Sequence, residues 1–255
     1  MTPQRGSLYL VPNTLDLGAL TDAPEVQDVL GASVIRTAAR LTHWVAENAK
    51  TTRAFLKRVG VVVPLAQPLQ TLAIVELPHP QKGSRDASTA DLGALLAPAL
   101  RGHDIGLISE AGLPAVADPG AALVRCAHAT GIRVIALAGP SSLLLALAAS
   151  GLNGQSFAFV GYLPVESASR GARIRELEAL SRRAGQTQLM IETPYRNEAL
   201  LGALLAHLQP ATRVSVSCGL TMANAFTRTD SVQGWKAKPT ALPADVPAVF
   251  SLLAS

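Results

Sequence analysis

The chain alternates short apolar runs with amphipathic stretches along most of its length. Runs at 8–11, 72–77, 105–109, 132–138, 157–163, 187–192, 213–218 and 246–253 are strand-like, and those at 105–109, 132–138 and 157–163 are mostly apolar. Such runs predict strands, several of them buried on both faces. Segments 22–30, 46–59, 92–100, 121–130, 141–149, 168–183 and 198–208 have helical length and spacing. Residues 33–35 read as the start of a further strand, and Gly60 as the stop of helix 46–59. The first strand ends at Pro12-Asn13. Strands alternating with helices predict an α/β fold with largely parallel sheets.

Two of these runs, 105–109 and 132–138, break off into loops of small residues. One loop begins Ser109, Glu110, Ala111, Gly112; the other is Gly139, Pro140, Ser141, Ser142. In open α/β sheets ligands bind beyond the carboxyl ends of strands. Small residues let a ligand approach the backbone, and Gly reaches conformations closed to other residues. Pro119-Gly120 opens the helix that follows, and Ser141 or Ser142 can cap the next. Together the two loops predict a ligand cleft. No linker separates the halves, so the division is expected inside the 112–120 loop. That gives an N-terminal domain of residues 1–114 and a C-terminal domain of 115–255, with the ligand between them.

Composition narrows the possibilities. With 255 residues, 49% apolar and 16% charged, the chain can bury a large core. Aromatics at 4% argue against binding single-stranded nucleic acid by stacking. The net charge of +4 is not gathered into a dense Lys/Arg cluster. Cys126 and Cys218 read as buried thiols of a reducing compartment. The histidines show no ligand spacing, so no metal site is expected. No apolar stretch is long enough to predict a membrane span, and a cytoplasmic location follows. The phosphate-binding loop G-x-x-x-x-G-K-[ST], the dinucleotide fingerprint G-x-G-x-x-G after the first strand, and the G-x-S-x-G elbow are all missing. Four carboxylates stand out: Glu47, Glu110, Asp118 and Glu192. Glu110 and Glu192 each close an apolar strand, a placement that suits either a site or a helix cap. None is assigned as a catalytic base.

Five motifs then fall in order. SEAGLPAVADPG from Ser109 to Gly120 resembles the SDAGTPxxSDPG signature of the ribosomal RNA small-subunit methyltransferase I proteins, in the tetrapyrrole methylase superfamily. GPSS from Gly139 to Ser142 is similar to that family's GPSA. SGLNGQSFAFVGYLP, IETPYRN and AENAKTTRAFL resemble its SGL…F.F.GFLP, ESPHR and AEDTRTTRxLL elements. The resemblance implies two α/β domains, a homodimer, and S-adenosylmethionine (S-adenosyl-L-methionine) in the cleft between the domains. Carried over by position, Ser109, Glu110, Ala111, Gly112, Pro114 and Asp118 would line the cofactor pocket from the first domain. Gly139, Pro140, Ser141 and Ser142 would follow from the second, with Glu192, Thr193 and Pro194 beside them.

The departures concern the acceptor. The family's TPIGNLGD is replaced by VPNTLDLGA, its Glu-Asp-Thr-Arg by Glu47-Asn48-Ala49-Lys50, and its charged ELTK…E stretch by Gly219-Leu220-Thr221-Met222-Ala223-Asn224. Three functions therefore stay open. One is 2′-O-methylation of ribosomal RNA, with 16S rRNA or the 30S subunit as partner. A second is a tetrapyrrole or other small-molecule methylase. The third is a non-catalytic S-adenosylmethionine-binding regulatory protein. For RNA the candidate contacts are Arg5, Lys50, Arg53, Lys57, Arg58, Lys82 and Arg85. Lys50, Arg53 and Lys57 share one helix face, which could equally be a solvated surface.

Overall fold

The computed structural model describes residues 5–16, 23–78 and 89–255, with side chains in the last span from residue 92. The chain forms two units, Met1–Ser141 and Ser142–Ser255. The first carries strands β1 (Ser7–Leu10), β2 (His43–Ala46), β3 (Ala73–Glu76), β4 (Ile105–Ile108) and β5 (Arg133–Ala136). They form a wholly parallel sheet in the order β3-β2-β4-β1-β5. Its helices are α1 (Val26–Val29), α2 (Ala32–Arg40), α3 (Ala49–Val62), α4 (Thr89–Leu95), α5 (Ala97–Leu100) and α6 (Ala121–Ala129).

Side chains along the strands alternate between two cores. Tyr9, Val11, Trp44, Ala46 and Ile108 pack with α1, α2 and α3. Leu8, Leu10, Val45, Ile105 and Leu107 pack with α4, α5 and α6. The central strands are thus covered by helices on both faces, most completely β4, whereas the edge strands β3 and β5 are largely exposed. Gly106 faces the first of these cores. A Cβ there would lie 2.6 Å from the Trp44 ring, so the missing side chain makes room for the buried indole.

The second unit carries β6 (Phe157–Phe159), β7 (Thr187–Glu192), β8 (Arg213–Cys218), β9 (Phe226–Ser231) and β10 (Ala248–Leu253) in the order β6-β7-β10-β8-β9. Its helices are α7 (Ser142–Ser150), α8 (Ser167–Ala184), α9 (Asn197–His207) and α10 (Val232–Ala237). Met190, Val214, Val216, Phe250 and Leu252 pack on α8, α9 and α10. Leu189 and Val249 face the other way, onto α7. The buried Glu178 of α8 accepts from the Gln209 amide at 2.8 Å and the Thr212 hydroxyl at 2.5 Å, tying that helix to the turn before β8.

The structure corrects several expectations. The unit boundary follows Ser141 and not residue 114, because β5 pairs along its whole length with β1 in the first sheet. Only the first sheet is parallel; in the second, β6–β7 is parallel and the other three pairings are antiparallel. The short connection between β8 and β9 makes a hairpin, which requires antiparallel strands. Residues 33–35 belong to α2, whose buried Val34, Ile35, Ala38 and Ala39 follow a helical period. The stretch expected to open helix 46–59 contains the end of β2, and Asn48 caps α3 by accepting from the Lys50 and Thr51 amides. Gly60 lies within α3, which continues to Val62. Cys218 is buried, whereas Cys126 is half-buried. Lys82 and Arg85 lie outside the described residues, as does the start of the helix expected at 22–30.

Gly106→Ala should lower stability by about 1–3 kcal/mol, because the added methyl overpacks the Trp44 ring. Gly154→Ala, with nothing within 4 Å of its Cβ position, should leave stability unchanged or raise it by up to about 1 kcal/mol. Urea unfolding midpoints check both.

Candidate ligand site at the carboxyl edge of the parallel sheet

Strand order places the site. The connection leaving β1 runs toward β2, and the one leaving β4 runs the opposite way, toward β5. The helices of these two connections lie on opposite faces of the sheet, α1 and α2 on one and α6 on the other. The loops therefore leave the adjacent strands β1 and β4 toward opposite faces and open a crevice at their carboxyl ends, where ligands bind in open α/β sheets. Here the loop after β1 meets the loop after β4. The Asn13 amide nitrogen donates to the Ser109 carbonyl at 3.1 Å and to the Glu110 carbonyl at 3.0 Å. The Asn13 backbone N–H donates to the Gly112 carbonyl at 2.9 Å. Asn13 Oδ1 in turn accepts from the Thr14 N–H at 2.9 Å. One buried side chain thus satisfies carbonyls from two residues of the facing loop.

The third loop joins on the other side. A Cβ on Gly139 would lie 2.2 Å from Pro12 Cβ, so glycine is required for this approach. A Cβ on Gly112 would lie 3.5 Å from the Pro140 carbonyl oxygen, which places Pro140 beside the Ser109–Gly112 turn. Gly112 has φ +66, and the loop continues through Ala115 at φ 66 and Ala117 at φ 64. Alanine in the left-handed region is strained, and such residues cluster at functional sites.

Three carboxylates converge on this edge. Glu47, just after β2, accepts the Glu110 N–H through Oε2 at 3.0 Å. Asp118 is pushed up to about 6 by burial first, then by the charge of Glu47; the Ser109 hydroxyl opposes the shift and Glu110 adds to it. The edge therefore presents negative potential within a shell of small residues. On its flank Asp16 is buried and paired with Arg58 at 2.9 Å, and Arg58 also donates to the Pro24 carbonyl at 2.7 Å.

The residues expected from sequence are distributed as follows. Ser109, Glu110, Ala111, Gly112, Pro114, Asp118, Gly139, Pro140 and Ser141 all belong to the first unit. The expectation that Gly139, Pro140 and Ser141 come from the second domain is corrected, since their loop follows β5 of the first sheet. Ser142 begins α7 of the second unit. Glu192 closes β7 and is buried. Its Oε1 accepts the Thr193 N–H at 2.8 Å, and its Oε2 pairs with Arg196 at 2.9 Å. Glu192 is therefore a paired carboxylate, and Thr193 and Pro194 lead from it into the turn Pro194–Arg196. Sequence reasoning missed Asn13, read only as a strand stop, and Pro12, the partner of Gly139. The Pro-Asn pair directly after an apolar strand was the available signal.

Among the described residues no group of three or more His, Cys, Asp or Glu could hold a metal ion, and no helix is long and apolar enough to cross a membrane. Cys218 has its thiol pushed up to about 11 by burial, which makes it unreactive.

Known proteins resemble the chain in both sequence and fold. The family described as tetrapyrrole (corrin/porphyrin) methylases matches residues 29–233. A ribosomal RNA small subunit methyltransferase I from Mesorhizobium japonicum is 37% identical over 147 residues, covering 57% of this chain and 49% of that protein. A protein of the same name from Escherichia coli O157:H7 is 31% identical over 218 residues, covering 85% of this chain and 66% of that one. The chain thus spans about half to two thirds of the length of these relatives. In fold it is similar to the uroporphyrin-III-C-methyltransferase of Thermus thermophilus, with TM-score 0.53, 19% identity, and coverage of 98% and 92%. It is also similar to a conserved hypothetical protein of Aeropyrum pernix K1, with TM-score 0.61, 15% identity, and coverage of 98% and 85%.

The raised Asp118 pKa has a consequence for stability. Between its ordinary value of 3.8 and about 6, the folded chain holds a proton that the unfolded chain has released. Stability from this group therefore falls as pH rises through that window and is constant above it. Asp118→Asn should gain stability relative to the parent chain between about pH 4 and pH 6, and run parallel to it above. Denaturation across this range checks it; identical pH profiles would contradict it.

Proposed function

Because the chain belongs to the tetrapyrrole (corrin/porphyrin) methylase family, we propose that it is an S-adenosylmethionine-dependent methyltransferase. The observation that carries this is the joining of the β1 and β4 loops by Asn13 beside the Glu47, Glu110 and Asp118 carboxylates. The residues fit the group. A sulfonium and an ammonium are cations, and the edge carries Glu47, Glu110 and Asp118. When bound, S-adenosylmethionine supplies an electrophilic methyl on sulfur. Ser109, Glu110, Ala111, Gly112, Pro114, Asp118, Gly139, Pro140 and Ser141 would hold it. Ser142, Glu192, Thr193 and Pro194 are the second unit's candidates. The chain's own contribution is orientation: a loop fixed by buried hydrogen bonds keeps the reacting centres in line at short range.

For the acceptor we propose ribosomal RNA, at the ribose 2′-hydroxyl that the sequence resemblance implies; the names of the curated relatives support the RNA. Lys50, Arg53 and Lys57 are exposed along α3 and fit an RNA backbone. Arg58 does not, since it is committed to Asp16. That loss, with the departures in the first-strand loop, favours a small-molecule methylase as the second reading. A homodimer and a cytoplasmic location complete the proposal. The dimer is supported by edge strand β6, where Phe157 is 42% and Phe159 is 37% exposed on one face. An apolar sheet edge is normally covered.

Gly112→Val and Pro140→Leu should each weaken S-adenosylmethionine binding by tenfold or more, about 1.4 kcal/mol, in calorimetric titration. Methyl transfer to 30S subunits, set against tetrapyrrole acceptors, decides the substrate. Binding without transfer to either would favour the regulatory reading. Replacing Arg53 and Lys57 together by Ala should flatten the salt dependence of RNA binding by roughly one unit per lost contact. Light scattering at micromolar concentration should give twice the monomer mass.

A further inference from the structure

At the other edge of the first sheet, where the strands begin, the described residues line an open cleft of about 560 Å3. Ser7 and Arg133 mark the starts of β1 and β5 there, and Asp104 immediately precedes β4. Three guanidiniums line it, from Arg5, Arg40 and Arg133, together with the His103 imidazole. The carboxylate lining it is Asp104. Its two oxygens are already engaged, Oδ1 by the Ser7 N–H at 2.8 Å and Oδ2 by Arg40 at 2.6 Å. Asp104 thus cancels Arg40 and leaves Arg5 and Arg133 without a carboxylate partner among the described residues.

The cationic groups are positioned. Arg40 stands over the Tyr9 ring at 4.8 Å from its centroid. Arg5 donates through one nitrogen to the Thr130 carbonyl, so its other donors are available. His103 stacks on His43 with centroids 4.8 Å apart. The field is positive: His43 is held below its ordinary value by burial first, and then by the charges of His103 and Arg101. The sequence did not show this cluster because Arg5, Arg40, His103 and Arg133 are far apart along the chain and meet only at the strand starts.

We infer that this cleft is an anion site that takes a phosphate group. Planar guanidinium forks match phosphate oxygens two at a time. Two uncompensated guanidiniums match the charge of a phosphate dianion. The cleft is several times larger than one phosphate, so the group would belong to a larger phosphorylated molecule, either a free nucleotide or an RNA backbone. The site lies at the opposite edge of the sheet from the acidic carboxyl edge.

The test uses the full chain, with inorganic phosphate, AMP and a single-stranded RNA of about a dozen nucleotides as probes. The parent chain should bind at least one of them saturably. The exposed Arg133→Gln and the double variant Arg5→Gln/Arg133→Gln should weaken that binding by tenfold or more, with circular dichroism melting unchanged. S-adenosylmethionine affinity should also be unchanged, which separates this site from the carboxyl-edge site. Binding of AMP or phosphate, lost in the variants, with RNA binding unaltered, identifies a free phosphorylated ligand. RNA binding whose salt slope falls by roughly one unit per arginine identifies the RNA backbone. The inference is overturned if none of the probes binds, or if the double variant binds them as well as the parent.

Discussion

Asn13 is the constraint on which the first unit's carboxyl edge depends. Its amide spans two carbonyls of the β4 loop while its backbone bonds a third residue, so the two loops at the strand-order reversal cannot move independently. Each bond alone is worth about 1 kcal/mol, but the carbonyls are partly buried, and leaving them unmet costs about 1–3 kcal/mol. The remaining features follow from this tie. With Gly112 held against Asn13, the loop must return to α6 through two alanines at positive φ and Gly120 at φ 129. The turn back buries Asp118 near Glu47 and Glu110, and burial first, then the charge of Glu47, raises its pKa.

The two units solve the covering of a sheet differently. The parallel sheet has helices on both faces, and its candidate edge is built from loops of small, hydrogen-bonded residues. The mixed sheet places its own buried acids in structural pairs. Glu192 is matched by Arg196, and Glu178 by Thr212 and the Gln209 amide. Glu47, Glu110 and Asp118 have no cationic side-chain partner among the described residues, which supports assigning them to a cationic ligand.

Much of this was legible along the chain. β4 reads Ile-Gly-Leu-Ile and is buried along its length, β7 has the apolar centre Leu-Met-Ile, and β8 alternates Val with Ser; the structure has strands at all three. The loops after β4 and β5 stood out by their small residues, and the structure brings them together. What was not legible depended on long-range pairing. β2 has four residues and opens on His43, so it merged with the helix that follows. β9 reads Phe-Thr-Arg-Thr-Asp-Ser, with no apolar run, because it is an edge strand with little buried surface. The membership of β5 in the first sheet is fixed by its register with β1, which no local pattern encodes. Asn13 was invisible as a site residue for the same reason: its partners lie 96 and 97 positions away.

By this reading Asn13 holds the loop proposed to bind the methyl donor in its binding form. Calorimetric titration of Asn13→Ala with S-adenosylmethionine tests it most directly, with thermal melting confirming that the variant is folded. The account predicts affinity reduced by tenfold or more in the folded variant. Affinity equal to that of the parent chain would contradict it.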